Sequence, residues 1–409
     1  MAEIPTFHPV AAGPACRAST RRGFLGAGGT TVFVASGGLI TAACSVARPG
    51  PAYAPWALWN DPAVRGSPLA LVAAGVLAAN PHDTQPWLFH VQEGSIEVFA
   101  DTSRNLGAMD PFLREMHIGL GCALENMALA APANGYGAEI ETIPGSVLDL
   151  KDRHGPAHAA TVRLTRLESP QSPSSAYHAI PRRHTNRFPY DRRRPPPRAW
   201  RDTLAAPSGD PGVRLFLFDE GAGRTGYDSV VIDATKAIIS DAAMIADSDR
   251  WFRGDDAEIE KYRSGPTLAV AGLSPMNRLL AGALPLPPKV KHDAWLAQTR
   301  DSQLASAPLT GLIAVRDRYD RAAAMAVGRL WQRIHLAAAD AGVALQPLNQ
   351  PMEMVDRDRS LGRGDEWERR LAALTGSPDW QATFSFRAGV CSHPASASPR
   401  RALSDTIIA

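Results

Sequence analysis

Two stretches decide the fold: Leu124-Glu-Asn-Met-Ala-Leu-Ala-Ala-Pro-Ala-Asn-Gly135 and Trp331-Gln-Arg-Ile-His-Leu-Ala-Ala-Ala-Asp-Ala-Gly342. In register, Leu129, Ala130, Ala131 and Gly135 meet Leu336, Ala337, Ala338 and Gly342, across an offset of about two hundred residues. Apolar residues recur at helical spacing in both, at Leu124, Met127 and Ala131, then at Trp331, Ile334 and Ala338. Each run ends at a glycine suited to cap a helix. A strand-like piece follows each, Ala138 to Ile143 and Ala344 to Leu348. Two copies of one α+β unit are the simplest explanation.

Working outward, Leu69–Leu77 reads as a helix, and Ser169-Pro-Gln-Ser-Pro-Ser-Ser175 as a linker between the copies. This gives a first half over 51–168 and a second over 176–409. A long segment, Trp251 to Pro308, carries Pro275, Pro285, Pro287 and Pro288 and reads as an irregular insert. Loops of that length inside a compact domain act as lids or binding elements. It separates a helix near Ala234–Ala246 from one near Arg316–Ala341. Phe384 to Gly389 has a strand pattern.

The chain has 409 residues, 45% apolar and 21% charged, with a net charge of +2. That is a globular composition, with no field to recruit nucleic acid. Four cysteines are too few for a disulfide framework in a chain of this size. Cys122 and Cys391 are either two small buried thiols or a single bridge. No Cys-x-x-Cys pair marks a zinc site, and His154 and His158 read as a solvated turn beside Gly155 and Pro156. No metal is expected.

Residues 1–50 read as an address. Ser19-Thr-Arg21-Arg22-Gly-Phe-Leu25 matches the twin-arginine export pattern, and a charge-free, glycine-bearing stretch follows from Gly23 to Ala47. Thr41-Ala42-Ala43 offers a cleavage site. Cys44 directly after it offers lipidation as the rival. The twin-arginine translocon carries folded cargo, so a cofactor loaded before export is expected, and a periplasmic or cell-envelope location with it.

Four stretches carry the chemistry. Ala79-Asn-Pro-His82-Asp83-Thr84-Gln85-Pro86-Trp87 resembles the Pro-Ser-x-x-Asn-x-Gln-Pro-Trp loop of nitroreductase-family flavoproteins, with His82 and Thr84 as in the actinobacterial Acg-type subfamily. Asp83 stands where the family has Asn, and presents acceptors alone unless protonated. Arg183-His-Thr185-Asn-Arg187 resembles the family's run for the FMN phosphate and ribityl chain. Guanidinium forks suit phosphate oxygens bidentately. Arg400 and Arg401, after Ser396-Ala-Ser-Pro399, match a closing run that also holds the phosphate. Pro347, Asn349 and Gln350 fall where the family has a turn facing the flavin ring.

The resemblance implies an α+β nitroreductase-like fold whose fused halves form an intramolecular pseudo-dimer, so that the chain is a monomer. The loop falls in the first half and the phosphate motifs in the second, so one complete FMN site is expected. The flavin carries the redox chemistry, so no catalytic side chain is assigned. Small molecules serve as electron donor and acceptor, a nitro or quinone compound being the acceptor class. The alternative is an FMN store with an occluded ring.

Overall fold

The computed structural model describes residues 50–409, apart from 151–153, 206–209, 275–276 and 279–286. The twin-arginine stretch and Cys44 lie outside the described residues. The described residues fall in a single compact unit.

The helices that matter to the site and the core include α1 (Pro68–Gly75), α2 (Arg114–Ala133), α3 (Gly221–Ser240), α4 (Ala242–Asp249), α5 (Asp256–Tyr262), α6 (Pro288–Ala297), α7 (Arg321–Asp340), α8 (Gln350–Ser360) and α9 (Glu366–Thr375). The strands are β1 (Trp87–Val91), β2 (Ser95–Asp101), β3 (Tyr136–Thr142), β4 (Pro156–Arg166), β5 (Val213–Phe218), β6 (Leu309–Val315), β7 (Ala344–Pro347), β8 (Gln381–Gly389) and β9 (Ile407–Ile408). They form two sheets, β3-β4-β2-β1-β9 and β5-β6-β8-β7.

Read from its other edge, the second sheet runs β7-β8-β6-β5, which is the order of the first four strands copied strand for strand. Every pairing within each set of four is antiparallel, and each sheet carries one register shift at the equivalent pair, Val98/Phe99 and Ile313/Ala314. The duplication is therefore a property of the topology as well as of two alanine-rich helices. The C-terminal β9 departs from it, adding to β1 in parallel and tying the chain's end to the first half.

The repeat helices α2 and α7 are both 20 residues long and cross face to face. A Cβ on Gly121 would run into Met325 O, and one on Gly328 into Ile118 O. Glu125 pairs with Arg333 at 3.0 Å, and Gln332 donates to Asn126 at 2.8 Å. The offset that carries Leu124 onto Trp331 also carries Ile118 onto Met325, Gly121 onto Gly328, Glu125 onto Gln332 and Asn126 onto Arg333. Each contact is thus answered by its mirror contact, the signature of a two-fold interface, here within one chain. Both helices end at a left-handed glycine, Gly135 (φ 80°) and Gly342 (φ 69°).

Burial explains the rest. In β2, Ile96, Val98 and Ala100 face the core and the residues between them are partly open. Strand β6 is buried throughout. Its Leu309, Ile313 and Val315 pack into the core around α2 and α7, whereas Leu312 and Ala314 pack with Tyr227, Val231 and Met352 of α3 and α8.

Several expected elements differ. The helix placed near Ala234–Ala246 breaks at Asp241, whose carboxylate caps α4. The start of the Arg316–Ala341 helix moves to Arg321, with Asp320 as its cap. Among its described residues the insert holds regular structure: it contains α5, α6 and a wide turn over Gln298–Leu304. His158 lies in β4, its ring 5.0 Å from that of Phe99 and tilted by 33°, not in a turn. Cys122 and Cys391 are both free thiols. Among the described residues no helix is long and apolar enough to cross a membrane, and no group of three or more His, Cys, Asp and Glu could hold a metal ion.

Candidate functional site

The turn after α1 is held in an unusual conformation. His82, Asp83 and Gln85 all have positive φ, at 46°, 50° and 51°. Left-handed backbone costs a non-glycine residue roughly 1–3 kcal/mol and persists where the surroundings enforce it, often at functional sites. Here Asn80 Oδ1 accepts from Gln85 N at 2.8 Å, Gly265 N donates to Asp83 O, and the Gln85 amide is buried. Gln85 Nε2 donates to Arg263 O, and Gln85 Oε1 accepts from Arg401 N, both at 2.8 Å.

The strained turn opens on a cavity of about 240 Å³ between the two halves. His82, Asp83, Arg183, Thr185, Arg187, Asn349, Gln350 and Arg400 all line it. Gln85 and Arg401 do not. They face one another behind the turn, and Arg401 spends its guanidinium on the carbonyls of Gln85, Trp87 and Asp405. Their place is to shape the loop and fasten the C-terminal segment.

One wall is cationic. Arg183 is 3% exposed and Arg400 2%. Arg183 Nη2 donates to Leu77 O at 3.1 Å, but its Nε has no partner. Arg400 Nη1 pairs with Asp83 Oδ1, its ring-facing side lies 4.8 Å from the centre of Trp56, and its Nε is also unpartnered. Arg187 Nη1 donates to Val270 O at 3.2 Å. Burial and the neighbouring Arg400 pull the Arg183 guanidinium down to about 9. Burial raises Asp83 to about 7 against the pull of Arg400, so at neutral pH it is divided between carboxylate and acid. Burial lowers His82 to about 4 and His184 to about 3, so both are neutral. Asp83 is the carboxyl that acts on Arg183, Arg187 and Arg400 alike, and one carboxyl does not balance three guanidinium groups. A buried wall of this kind is built for an anion.

Sequence reasoning missed part of the lining. Trp56 comes from the start of the described chain, its indole donating to Ser398 O at 2.8 Å. Pro266, Val270 and Trp295 come from the insert. Glu115, Ile118, Gly119 and Cys122 come from one face of α2, and Glu353 from α8. The spacing of the α2 residues is helical and was readable. That they face a cavity depends on contacts distant in sequence. Cys122 is inert: its thiol donates to Gly328 O at 3.2 Å and burial pushes it up to about 12.

No family model matches the chain. Over 341 residues it is 26% identical to the "Putative NAD(P)H nitroreductase" of Mycobacterium tuberculosis strain H37Rv, covering 82% of this chain and 90% of the relative. The same values hold for the protein of that description from strain CDC 1551. Among solved structures it is similar to the FMN-dependent nitroreductase NfnB of Mycobacterium smegmatis in complex with NADPH, with a TM-score of 0.37, 14% identity, and coverage of 57% of this chain and 96% of that one. A structure described as a "putative nitroreductase" from Anabaena variabilis gives a TM-score of 0.37, 12% identity, and coverage of 72% of this chain and 69% of that one. Across 82% of its length, this duplicated α+β chain is similar in sequence to a mycobacterial protein described as a nitroreductase.

Proposed function

We propose that the chain is an exported, FMN-binding oxidoreductase of the Acg type, passing electrons from a small-molecule donor to a nitro, quinone or related acceptor. The observation that carries the reading is the convergence of Arg183, Arg187 and Arg400 on one cavity wall, with unpartnered nitrogens on two of them. Guanidinium groups beside the Thr185 hydroxyl suit a phosphate and the polyol chain next to it. His82, Asp83, Asn349 and Gln350 would then stand near the ring, which supplies the electron transfer when bound. Asn349 is itself anchored, its Oδ1 accepting from Ser385 N at 3.0 Å. Export by the twin-arginine translocon is supported by Arg21 and Arg22 within Ser19–Leu25 and by the charge-free stretch from Gly23 to Ala47.

A second reading has its own support. Pro266, Val270 and Trp295 bring the insert onto the cavity. A hydride donor must bring reacting atoms to roughly 3–3.5 Å of the ring, so a closed insert would make the chain an FMN store. The mature protein, purified and heated, should release one FMN per chain. FAD, two flavins or none would overturn the flavin site. Stopped-flow bleaching then separates the two readings: NADPH bleaching with turnover on a nitroaromatic or quinone means an enzyme, and bleaching by dithionite alone means a store.

A further inference from the structure

The end of the cavity away from the arginines has a different chemistry. Glu115 lies in the first turn of α2 and Glu353 in the first turn of α8. Both line the cavity and are about as buried as Arg183, at 5% and 6% exposure. On the same face of α2, Cys122 lies seven residues further on, and it is Cys122 that shares its electrostatic surroundings with Arg183. A helix rises 1.5 Å per residue, so the acid end and the arginine end stand roughly 10 Å apart.

The groups packed around the two glutamates are Asp110 from the turn before α2, Arg114 from α2, and Asp356 and Asn349 from α8 and its cap. Asp356 takes the available cation. Arg114 Nε reaches its Oδ2 at 2.8 Å and the Tyr319 hydroxyl donates to its Oδ1 at 3.0 Å. Asp110 accepts from the backbone N–H of Glu115 and Met116. Glu115 takes a side-chain hydrogen bond from Asn349, but its Oε1, 3.5 Å from Arg114 Nη2, has no hydrogen-bond partner, and the cavity-lining Gln350 Oε1 is also unpartnered. One guanidinium cannot neutralise four buried carboxyls. The helix N-terminus favours a carboxylate at Glu115, but burial outweighs it. Glu115 is pushed up to about 8, and Glu353 well above the usual range by burial and by Glu115 beside it.

We propose that Glu115 and Glu353 are a pair of neutral carboxylic acids that donate hydrogen bonds to the bound ligand. The site therefore selects a molecule with an anion at one end and an uncharged, acceptor-rich group at the other. Binding of that molecule is coupled to retention of their protons. The pair gives the cavity its direction: a phosphate placed at the acid end would meet unpaired carboxyl oxygens, whereas a heteroaromatic carbonyl or imine would meet donors. This inference rests on the flavin reading, because FMN is the probe.

The test is an FMN titration of the full-length, deflavinated protein from pH 6 to 9.5, followed by flavin fluorescence. If one proton must be held, the dissociation constant should rise up to ~tenfold per pH unit above about 8. Glu353→Gln and Glu115→Gln keep a donor and remove the titration, so each should flatten the slope while binding FMN at pH 7. Glu353→Ala should weaken binding at every pH. Infrared spectra of the flavin-free protein at pH 7 should show a protonated-carboxyl C=O band that falls in each Gln variant. A flat wild-type profile, a slope surviving in both Gln variants, or no such band would overturn the inference with the flavin reading intact. Failure to bind FMN at any pH would overturn both.

Discussion

Replacing Arg183 by Gln should move affinity and stability in opposite directions. The guanidinium is 3% exposed and spends one nitrogen on Leu77 O, while its Nε is unsatisfied. Arg400 repels it, and Asp83 is shared among several cations. A buried unsatisfied polar group costs roughly 1–3 kcal/mol, and more when charged. Glutamine removes the charge and can still reach Leu77 O, so the flavin-free protein should gain at least about 1 kcal/mol, a rise of a few degrees in Tm. With FMN the sign reverses. A hydrogen bond to a charged group contributes about 1.5–3 kcal/mol, so affinity should fall on the order of ten- to a hundred-fold. Urea unfolding of the deflavinated protein and fluorescence titration with FMN measure the two sides. Unchanged affinity would make Arg183 a structural cation. A parallel loss of stability and affinity would show that it holds the cavity together without serving an anion.

Other consequences follow from the same geometry. In the flavin-free protein, His82, His117 and His184 resist charging, their folded values lying at about 4, 4 and 3 against an ordinary 6.5, so stability falls as pH drops below 6.5. Asp83 and Glu115 resist ionising, at about 7 and 8 against 3.8 and 4.5, so stability also falls as pH rises from about 4 to 8. The two trends offset between about pH 4.5 and 6.5. Only the carboxyl cost remains above that, and chemical unfolding should show a decline from pH 6.5 to 8 that Glu115→Gln reduces. Gly328→Ala drives a methyl into Ile118 O, where backbone cannot swing aside, and should lower the unfolding free energy by roughly 1–3 kcal/mol or more in urea titrations. Trp295→Ala should speed flavin bleaching by NADPH and leave dithionite bleaching unchanged in stopped flow; equal NADPH rates would acquit the insert as a lid. Lysine at both Arg21 and Arg22 should leave the precursor folded and yellow in the cytoplasm, checked by fractionation.

Much of this was legible in sequence because the repeat helices carry their own punctuation. Gly135 and Gly342 end them, and the offset between the copies survives in both helices without a gap. Strand β6 was hidden for a physical reason. Leu309-Thr-Gly-Leu-Ile-Ala-Val315 is buried on both faces, so it shows no alternation and cannot be told from the start of a helix. The insert misled through its prolines. Pro288 stands at the first position of α6, where a missing N–H is harmless, so proline begins the helix rather than excluding one. Pro156 similarly opens β4, taking His158 out of the turn its neighbours suggested. Of the basic motifs, Arg183, Arg187 and Arg400 reach the cavity, but Arg401 is turned behind the loop because the carbonyls of Gln85 and Trp87 need a donor there. Composition at 400–401 holds nothing that distinguishes the two. Glu115 and Glu353 were invisible for a different reason. Each reads as an ordinary helical glutamate, and only the packing of α8 beside the start of α2 sets four carboxyls around one arginine.

The duplication also explains why the described cavity has a direction. The offset that pairs Gly121 with Gly328 carries Glu115 onto Ala322, Ile118 onto Met325 and Cys122 onto Arg329. A two-fold copy of the cavity would therefore have alanine where the acid end has Glu115. In place of a buried thiol it would have Arg329, a guanidinium already paired with Glu125 at 2.9 Å. That pair is one of the contacts that hold α2 against α7, so the residues that would have lined a second site are committed to the joint between the halves. A duplicated chain is free to diverge in this way, whereas a symmetric dimer of one gene product must repeat any change at both sites. Here the helical crossing kept its mirror contacts while the cavity-facing positions did not, and the asymmetry lies in the residues that give one cavity an arginine end and an acid end.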